Sequence, residues 1–427
     1  MLYSNKTKRI ILLVAALFPV VFYFFTVFKY TVNIPVADDY FSLMVFLNKY
    51  KLADSFSAKF NLFFEPLNMH KIVSSKLIAA IVLWIQGHGD LRIMVIIGNF
   101  FLLPCAYFFY YIVKKENNMS MVYVVFFSFL LFNFHYYSFI FLPTVPIQFG
   151  SSTAFMLGTI FFLVKENYRN LFIAVVLLII SLMSNSNALV LILIGILHFS
   201  VSKKDAKKAL IWITGSILAV VLYKFHNNGI KQGDGQILAV FNNPFIYLRW
   251  YFTVIGSCFA IRLPVDVLVS QIFGVFFTII HSYFILRFKH FLKNKPLIFY
   301  TFLFFLVSCV MIAVVRGGDV YLAAINYRYR FMSTLLLMCT ILLAYSTVVK
   351  KYEMHYLLGT GVIVLLVYYT SMTHYKRIKN FTHDIEQNMV RYMKGEDVQL
   401  YHVGEQKVGR KIIDESIRLN VYQPKTE

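Results

Sequence analysis

Charged side chains are scarce in this 427-residue sequence, at 14% of the total, and only 20 of them are acidic. A soluble protein carries roughly a quarter of its residues as charges. With a mean hydropathy of +0.67, that deficit excludes a soluble globular enzyme, a disordered chain and a collagen-like fibre. Cysteine is also scarce. Cys105, Cys258, Cys309 and Cys339 lie in apolar stretches and form no CxxC pair, which excludes a disulfide frame and reads as small core residues. No small-residue cleavage site follows the first apolar run, Ile10 to Tyr30, so that run reads as a signal anchor of spanning length. Gly229 to Gly235 (GIKQGDG) lacks the Lys-Ser/Thr ending of a phosphate-binding loop, and there is no dinucleotide fingerprint. Internal repeats and low-complexity segments are missing too.

Apolar residues are abundant, at 59%, with 18% aromatic. An all-α polytopic membrane protein is the class that remains. The net charge of +21 comes from 41 basic and 20 acidic residues. The basic residues fall in short breaks between apolar runs, as the positive-inside rule requires, so anionic lipid headgroups rather than nucleic acid are the expected partner. Lys6, Lys8 and Arg9 place the N-terminus inside. Later apolar runs lie near 93–113, 119–134, 149–164, 171–184, 188–201, 209–223, 265–286, 297–315, 331–349 and 356–372. Basic breaks alternate with them, which gives about eleven spans (10–12). Parity then requires the run 72–85 to lie in the outer interface, with Lys71 and Lys76 reaching out of the apolar layer. The alternative is that it spans and a later short run does not. This divides the chain into a membrane domain over 1–372, with a long first outer loop at about 29–92, and an extramembrane tail over 373–427. The alternation puts the tail outside, although its basic content favours the inside.

Polar residues without structural need gather in the outer loops. Asp38 and Asp39 follow the first span. Adjacent carboxylates repel, and near an apolar layer at least one has a raised pKa, which suits proton abstraction or binding of a hard cation. Either could instead cap the helix beginning at Tyr40. Glu65, His70 and Lys71 stand where the interfacial helix begins and can meet a substrate headgroup, or simply solvate a helix start after Pro66. No His-x-x-x-His spacing offers zinc. Arg316-Gly317-Gly318-Asp319 and Asn326-Tyr327-Arg328-Tyr329-Arg330 put three arginines in one outer loop, against the positive-inside tendency. Arginine forks bind phosphate, and the glycines allow close backbone approach to an anion. Arg249, Arg262 and Asp266 form a weaker outer cluster. His135, Tyr136 and Tyr137 read as aromatic belt, and Ser184 to Asn187 as a tight hairpin.

Asp38-Asp39-Tyr40 after the first span, Glu65 to His70 in the same loop, and Arg-Gly-Gly with Arg-Tyr-Arg before a late span resemble the GT-C fold glycosyltransferases. Among these, the bacterial O-antigen glucosyltransferases of serotype conversion are similar in size. The resemblance implies a GT-C-like architecture in a bacterial inner membrane with the active site facing the periplasm. It implies an inverting transfer of a sugar, with glucose expected, from a polyprenyl-phosphate donor to a polysaccharide or lipid-linked glycan acceptor. Asp38 or Asp39 would be the base, and Arg316, Arg328 or Arg330 would meet the leaving phosphate. No nucleotide is required. A divalent cation, Mg or Mn, is left open, and Asp38 and Asp39 would bind it. The match departs from the family in two ways. No second acidic motif stands out among Asp54, Asp90, Asp234, Asp266 and Asp319, and the tail is too short for the large domain of oligosaccharyltransferase-type relatives. Two other readings compete. One is an O-antigen polymerase-like protein, and the other a flippase or transporter, against which the outer placement of the acids speaks.

Overall fold

Apolar runs bounded by polar capping residues become helices throughout the computed structural model, which describes residues 5–67, 71–225, 236–260, 265–317, 321–348, 350–400, 403 and 405–424. In chain order the principal helices are α1 (Lys6–Tyr30), α2 (Val45–Leu52), α3 (Phe56–Phe64), α4 (Val73–Gln86), α5 (Leu91–Glu116), α6 (Met121–Leu131), α7 (Pro146–Val164), α8 (Tyr168–Ser184), α9 (Ser186–Val201), α10 (Ala206–Lys224), α11 (Pro244–Gly256), α12 (Asp266–Leu286), α13 (Pro296–Arg316), α14 (Tyr327–Tyr345), α15 (Glu353–Met393) and α16 (Gln406–Arg418). No strand occurs among the described residues. Seven of these helices are long and apolar enough to cross a membrane: α1, α5, α7, α10, α12, α13 and α15. The chain is therefore an all-α, multi-pass membrane protein.

Side-chain caps set the helix starts. Asp90 accepts from the amides of Arg92 and Ile93 at the head of α5, Asn167 from Asn170 at α8, and Asp205 from Lys208 at α10. Each satisfies amides that have no partner inside the helix. Gly87, at φ +76°, ends α4 in the left-handed conformation that glycine adopts without strain. Small residues bring helices together. A Cβ on Gly98 would lie 2.6 Å from the Ile147 nitrogen, so α5 and the start of α7 touch backbone to backbone. α14 is buried continuously from Tyr329 to Leu343, with Arg328 and Arg330 in its first turn.

The main apolar core joins α1 and α5 to α15. A second core is built from the first loop and the tail together, with Val36, Tyr40, Leu43 and Leu47 packed among Ile385, Met389, Ile413 and Tyr422. α15 runs without a break past the compositional boundary at residue 372, and its continuation brings Ile385 and Met389 into this second core. Hydrogen bonds stitch the two segments. Tyr422 donates to the Asn33 carbonyl at 2.7 Å, Asn33 Nδ2 donates to the Gln423 carbonyl at 3.0 Å, and Gly89 N donates to Val421 at 2.6 Å. Thr382 donates to the Tyr30 carbonyl at the end of α1. The tail and the first loop thus occupy the same end of the bundle.

The expectation for Lys71 and Lys76 is corrected. Neither reaches out of the apolar layer, as they are 1% and 5% exposed. Apart from Gln86 at its end, what α4 exposes is apolar, at Leu77, Ile81, Trp84 and Ile85. The lysines turn inward because helix ends nearby leave carbonyls that need donors. The second core also generates a prediction. Tyr422→Ala removes a buried ring and the bond to Asn33, and is expected to cost about 3 to 5 kcal/mol. A thermal melt in detergent would read this, and an unchanged melting temperature would mean that the tail is not integrated.

Candidate functional site

The Asp38-Asp39 pair is split by the backbone. Ala37 sits at φ +53°, a left-handed conformation that costs a residue with a Cβ and turns the chain sharply. Beyond it Asp39 is buried and Asp38 is exposed. The Asp39 carboxylate accepts from Val36 N at 3.0 Å, from Thr144 N at 2.8 Å and from Thr144 Oγ1 at 2.6 Å. Ser42 Oγ lies 2.5 Å from the same threonine hydroxyl. Neither acid uses its side chain to cap the helix that begins at Tyr40. Burial pushes the Asp39 carboxyl up to about 7, against the lowering effect of its hydrogen bonds, and the nearby Asp38 charge adds to the rise. Asp39 is thus an anchor, and Asp38 is the acid presented to solvent.

The second group of predicted residues divides in the same way. Glu65 is exposed and pairs with Lys49 at 2.9 Å. Lys71 donates to the carbonyls of Leu222 and Phe225, at the C-terminal end of α10, and lies over the Phe64 ring. Lys76 donates to the carbonyls of Leu62 and Glu65 at 2.7 Å each, closing the end of α3. A cation at a helix C-terminus satisfies orphan carbonyls and meets the negative end of the dipole. Burial lowers both ammonium groups to about 8. His70 lies outside the described residues.

Of the three arginines, Arg316 ends α13 half-buried, and Arg328 is half-buried with its Cζ 5.4 Å from the Tyr329 ring centroid and its buried Nε unpaired. Arg330 is buried and engaged on all sides. Its Nε donates to the Ile325 carbonyl at 2.8 Å. One terminal nitrogen lies 3.2 Å from His135 Nε2 and 3.3 Å from His374 Nε2. The other is 3.7 Å from Asp266 Oδ2, and the guanidinium stands over Tyr327. Gly317 is small for a reason other than an anion, since a Cβ there would strike the Tyr247 ring and the Ala313 carbonyl. Gly318, Asp319 and Arg262 lie outside the described residues, as does the 229–235 stretch.

One connection organises both halves of the site. Residues 132–145, between α6 and α7, carry His135 to Arg330 and Thr144 to Asp39. His135 also meets the Ala260 carbonyl at 2.6 Å, and the Tyr137 hydroxyl accepts from Tyr327 at 3.1 Å. His135 and Tyr136 are wholly buried, which corrects their reading as aromatic belt. Thr144, His374 and Asp266 are the partners that sequence reasoning did not rank, since a lone threonine or histidine in an apolar stretch carries no spacing signal. Among the described residues no group of three or more His, Cys, Asp or Glu gathers as a metal would need. No family model, no curated protein and no solved structure matches the chain.

Two predictions follow from this geometry. Asp39 holds its proton in the fold up to about pH 7 but only to about pH 4 when unfolded, so its contribution to stability is fully present below about pH 4 and declines as pH rises toward 7. Thermal melts across that range should show this decline in the wild type and not in Asp39→Asn; parallel curves would mean that the buried carboxyl is already ionised at low pH. Arg330→Gln should destabilise the protein by about 3 to 5 kcal/mol, because it breaks a buried ion pair. Arg328→Gln should stay within about 1 kcal/mol. Equal losses in the same assay would contradict the division between a structural and an available arginine.

Proposed function

We propose that the chain is an inverting membrane glycosyltransferase. It moves a sugar, glucose by preference, from a polyprenyl-phosphate donor to a cell-surface polysaccharide or lipid-linked glycan. The observation that carries this reading is the split acid pair, in which one carboxylate is locked by Thr144 and Val36 so that its neighbour stands in solvent at the exit of the first apolar helix. In this proposal the chain has about eleven spans, and the first loop and tail face the periplasm across a bacterial inner membrane.

Asp38 takes the proton of an acceptor hydroxyl as that oxygen bonds to the anomeric carbon. The bond from the anomeric carbon to the phosphate oxygen breaks on the opposite face, inverting the configuration. The polyprenyl phosphate leaves with the electron pair, and Arg316 and Arg328 offset its growing charge. Asp39, Lys71 and Arg330 hold the surrounding backbone, and Glu65 lies at the rim. A divalent cation, if one takes part, has Asp38 as its available carboxylate. A transport reading draws on one observation, the buried Arg330, Asp266, His135 and His374 cluster between helices, since ionisable groups at depth mark pathways in transporters.

The test is transfer by purified protein from radiolabelled polyprenyl-phosphate glucose to a lipopolysaccharide fraction. Wild type should transfer label, and Asp38→Asn should lose at least about 100-fold in rate while keeping its melting temperature. Turnover by Asp38→Asn at the wild-type rate would remove Asp38 as the base. No transfer from any polyprenyl-phosphate sugar would leave the transport reading standing.

A further inference from the structure

A cleft of about 720 Å³ opens between the chain leaving α1, the start of α5 and the extended end of α15. That is within the roughly 300–1,000 Å³ of ordinary ligand sites. Its polar side chains are Thr31, Asn33, Arg92, Glu386, Gln387 and Arg391, and its apolar wall is Val32, Ile34 and Val390. We infer that this cleft binds an acidic saccharide, a glycan segment bearing a carboxylate or phosphate ester among its hydroxyls. Calling that segment the acceptor rests on the transferase reading above.

The cleft holds groups with hydrogen-bonding capacity to spare. Among the described residues the Arg92 side chain meets only Asp90, at 3.7 Å, which is beyond hydrogen-bond length. Asp90 already accepts two backbone amides at the head of α5. The Arg92 fork, 40% exposed, therefore has donors to spare. Glu386 is exposed and has no hydrogen bond or ion pair among the described residues. Arg391 lines the cleft and is held at 2.6 Å by Glu396 through its Nε, which leaves its two terminal nitrogens without a hydrogen bond among the described residues.

Each arginine has an acid of its own, Asp90 at 3.7 Å and Glu396 at 2.6 Å, so what the cleft offers an anion is not net charge but the fork nitrogens those acids leave unbonded. A bare anion gains nothing from the carboxylate in the same wall, whereas a saccharide does. Its acid group takes an arginine fork, its hydroxyls donate to Glu386 and accept the amide proton that Gln387 has beyond its contact with His383 at 2.8 Å, and its C–H faces lie on Val32, Ile34 and Val390. Both walls are fixed, because Asn33 ties this segment to α5 and to the tail. Ile34 precedes Asp38 by only four residues, which brings a glycan held here to the neighbourhood of the exposed acid.

The experiment is equilibrium binding to the full chain in detergent, using trigalacturonate and a trisaccharide carrying one phosphate ester, with maltotriose as the neutral control. At least one acidic probe should bind, maltotriose should bind at least about tenfold more weakly, and R92Q and R391Q should each weaken the acidic probe about tenfold. Both arginines are exposed, so circular dichroism should confirm intact folding in the two variants. The inference is overturned if neither acidic probe binds, if maltotriose binds equally, or if both variants bind as wild type does. Full displacement by equimolar inorganic phosphate would make this a bare anion site, and displacement by phosphatidylglycerol vesicles a headgroup site; either overturns the saccharide assignment. The two readings separate cleanly. Arginine-dependent binding without transfer would retire the transferase and keep the cleft. Transfer without arginine-dependent binding would retire the cleft alone.

Discussion

A carbonyl or amide removed from water must find a partner within the chain, and in an apolar bundle there is no solvent to supply one. Much of this protein's polar architecture answers that demand. Lys71 closes α10, Lys76 closes α3, Arg330 holds the Ile325 carbonyl and Asp39 gathers the amides of Val36 and Thr144. Each of these side chains carries an ionisable group, and each is nearly inaccessible. A buried charge is costly unless it is hydrogen-bonded, and burial accordingly lets Asp39 keep its proton up to about pH 7 and lowers the ammonium groups of Lys71 and Lys76 to about 8.

This constraint decides which members of a polar pair remain available for chemistry. Asp39 is consumed and Asp38 is left in water. Arg330 is consumed, while Arg328 keeps an unpaired nitrogen. The two consumed residues are held by the same connection, residues 132–145, so a disturbance there reaches both the acid and the arginines. The geometry makes this stretch a brace for the candidate site, although nothing in it resembles a motif.

The second core adds a further dependence. A long loop after a first span has little to fold against by itself, and here the continuation of α15 and the segment around Tyr422 supply the missing apolar surface. Residues nearly four hundred apart in sequence, Asn33 and Tyr422, share a hydrogen bond for that reason. The cleft beside them has one wall from each end of the chain.

Hydropathy, charge deficit and the placement of basic breaks were enough to determine an all-helical membrane chain, the first span, the helical first loop and most of the apolar runs that became helices. These signals are local, since a spanning helix satisfies its own backbone and needs only length and composition. Partner choice was not legible. Nothing in the order Asp38-Asp39 says which acid is buried, and nothing around Lys71, Lys76 or Arg330 says that these cations face carbonyls rather than headgroups. Those outcomes depend on where distant segments end, on Thr144, Leu222, Phe225 and His374, and only the packed structure brings such groups within hydrogen-bond reach. The sequence by itself determined the class and the elements. The tertiary structure decided which charges serve the fold and which stay free, because burial and pairing are properties of contacts between segments far apart in the chain.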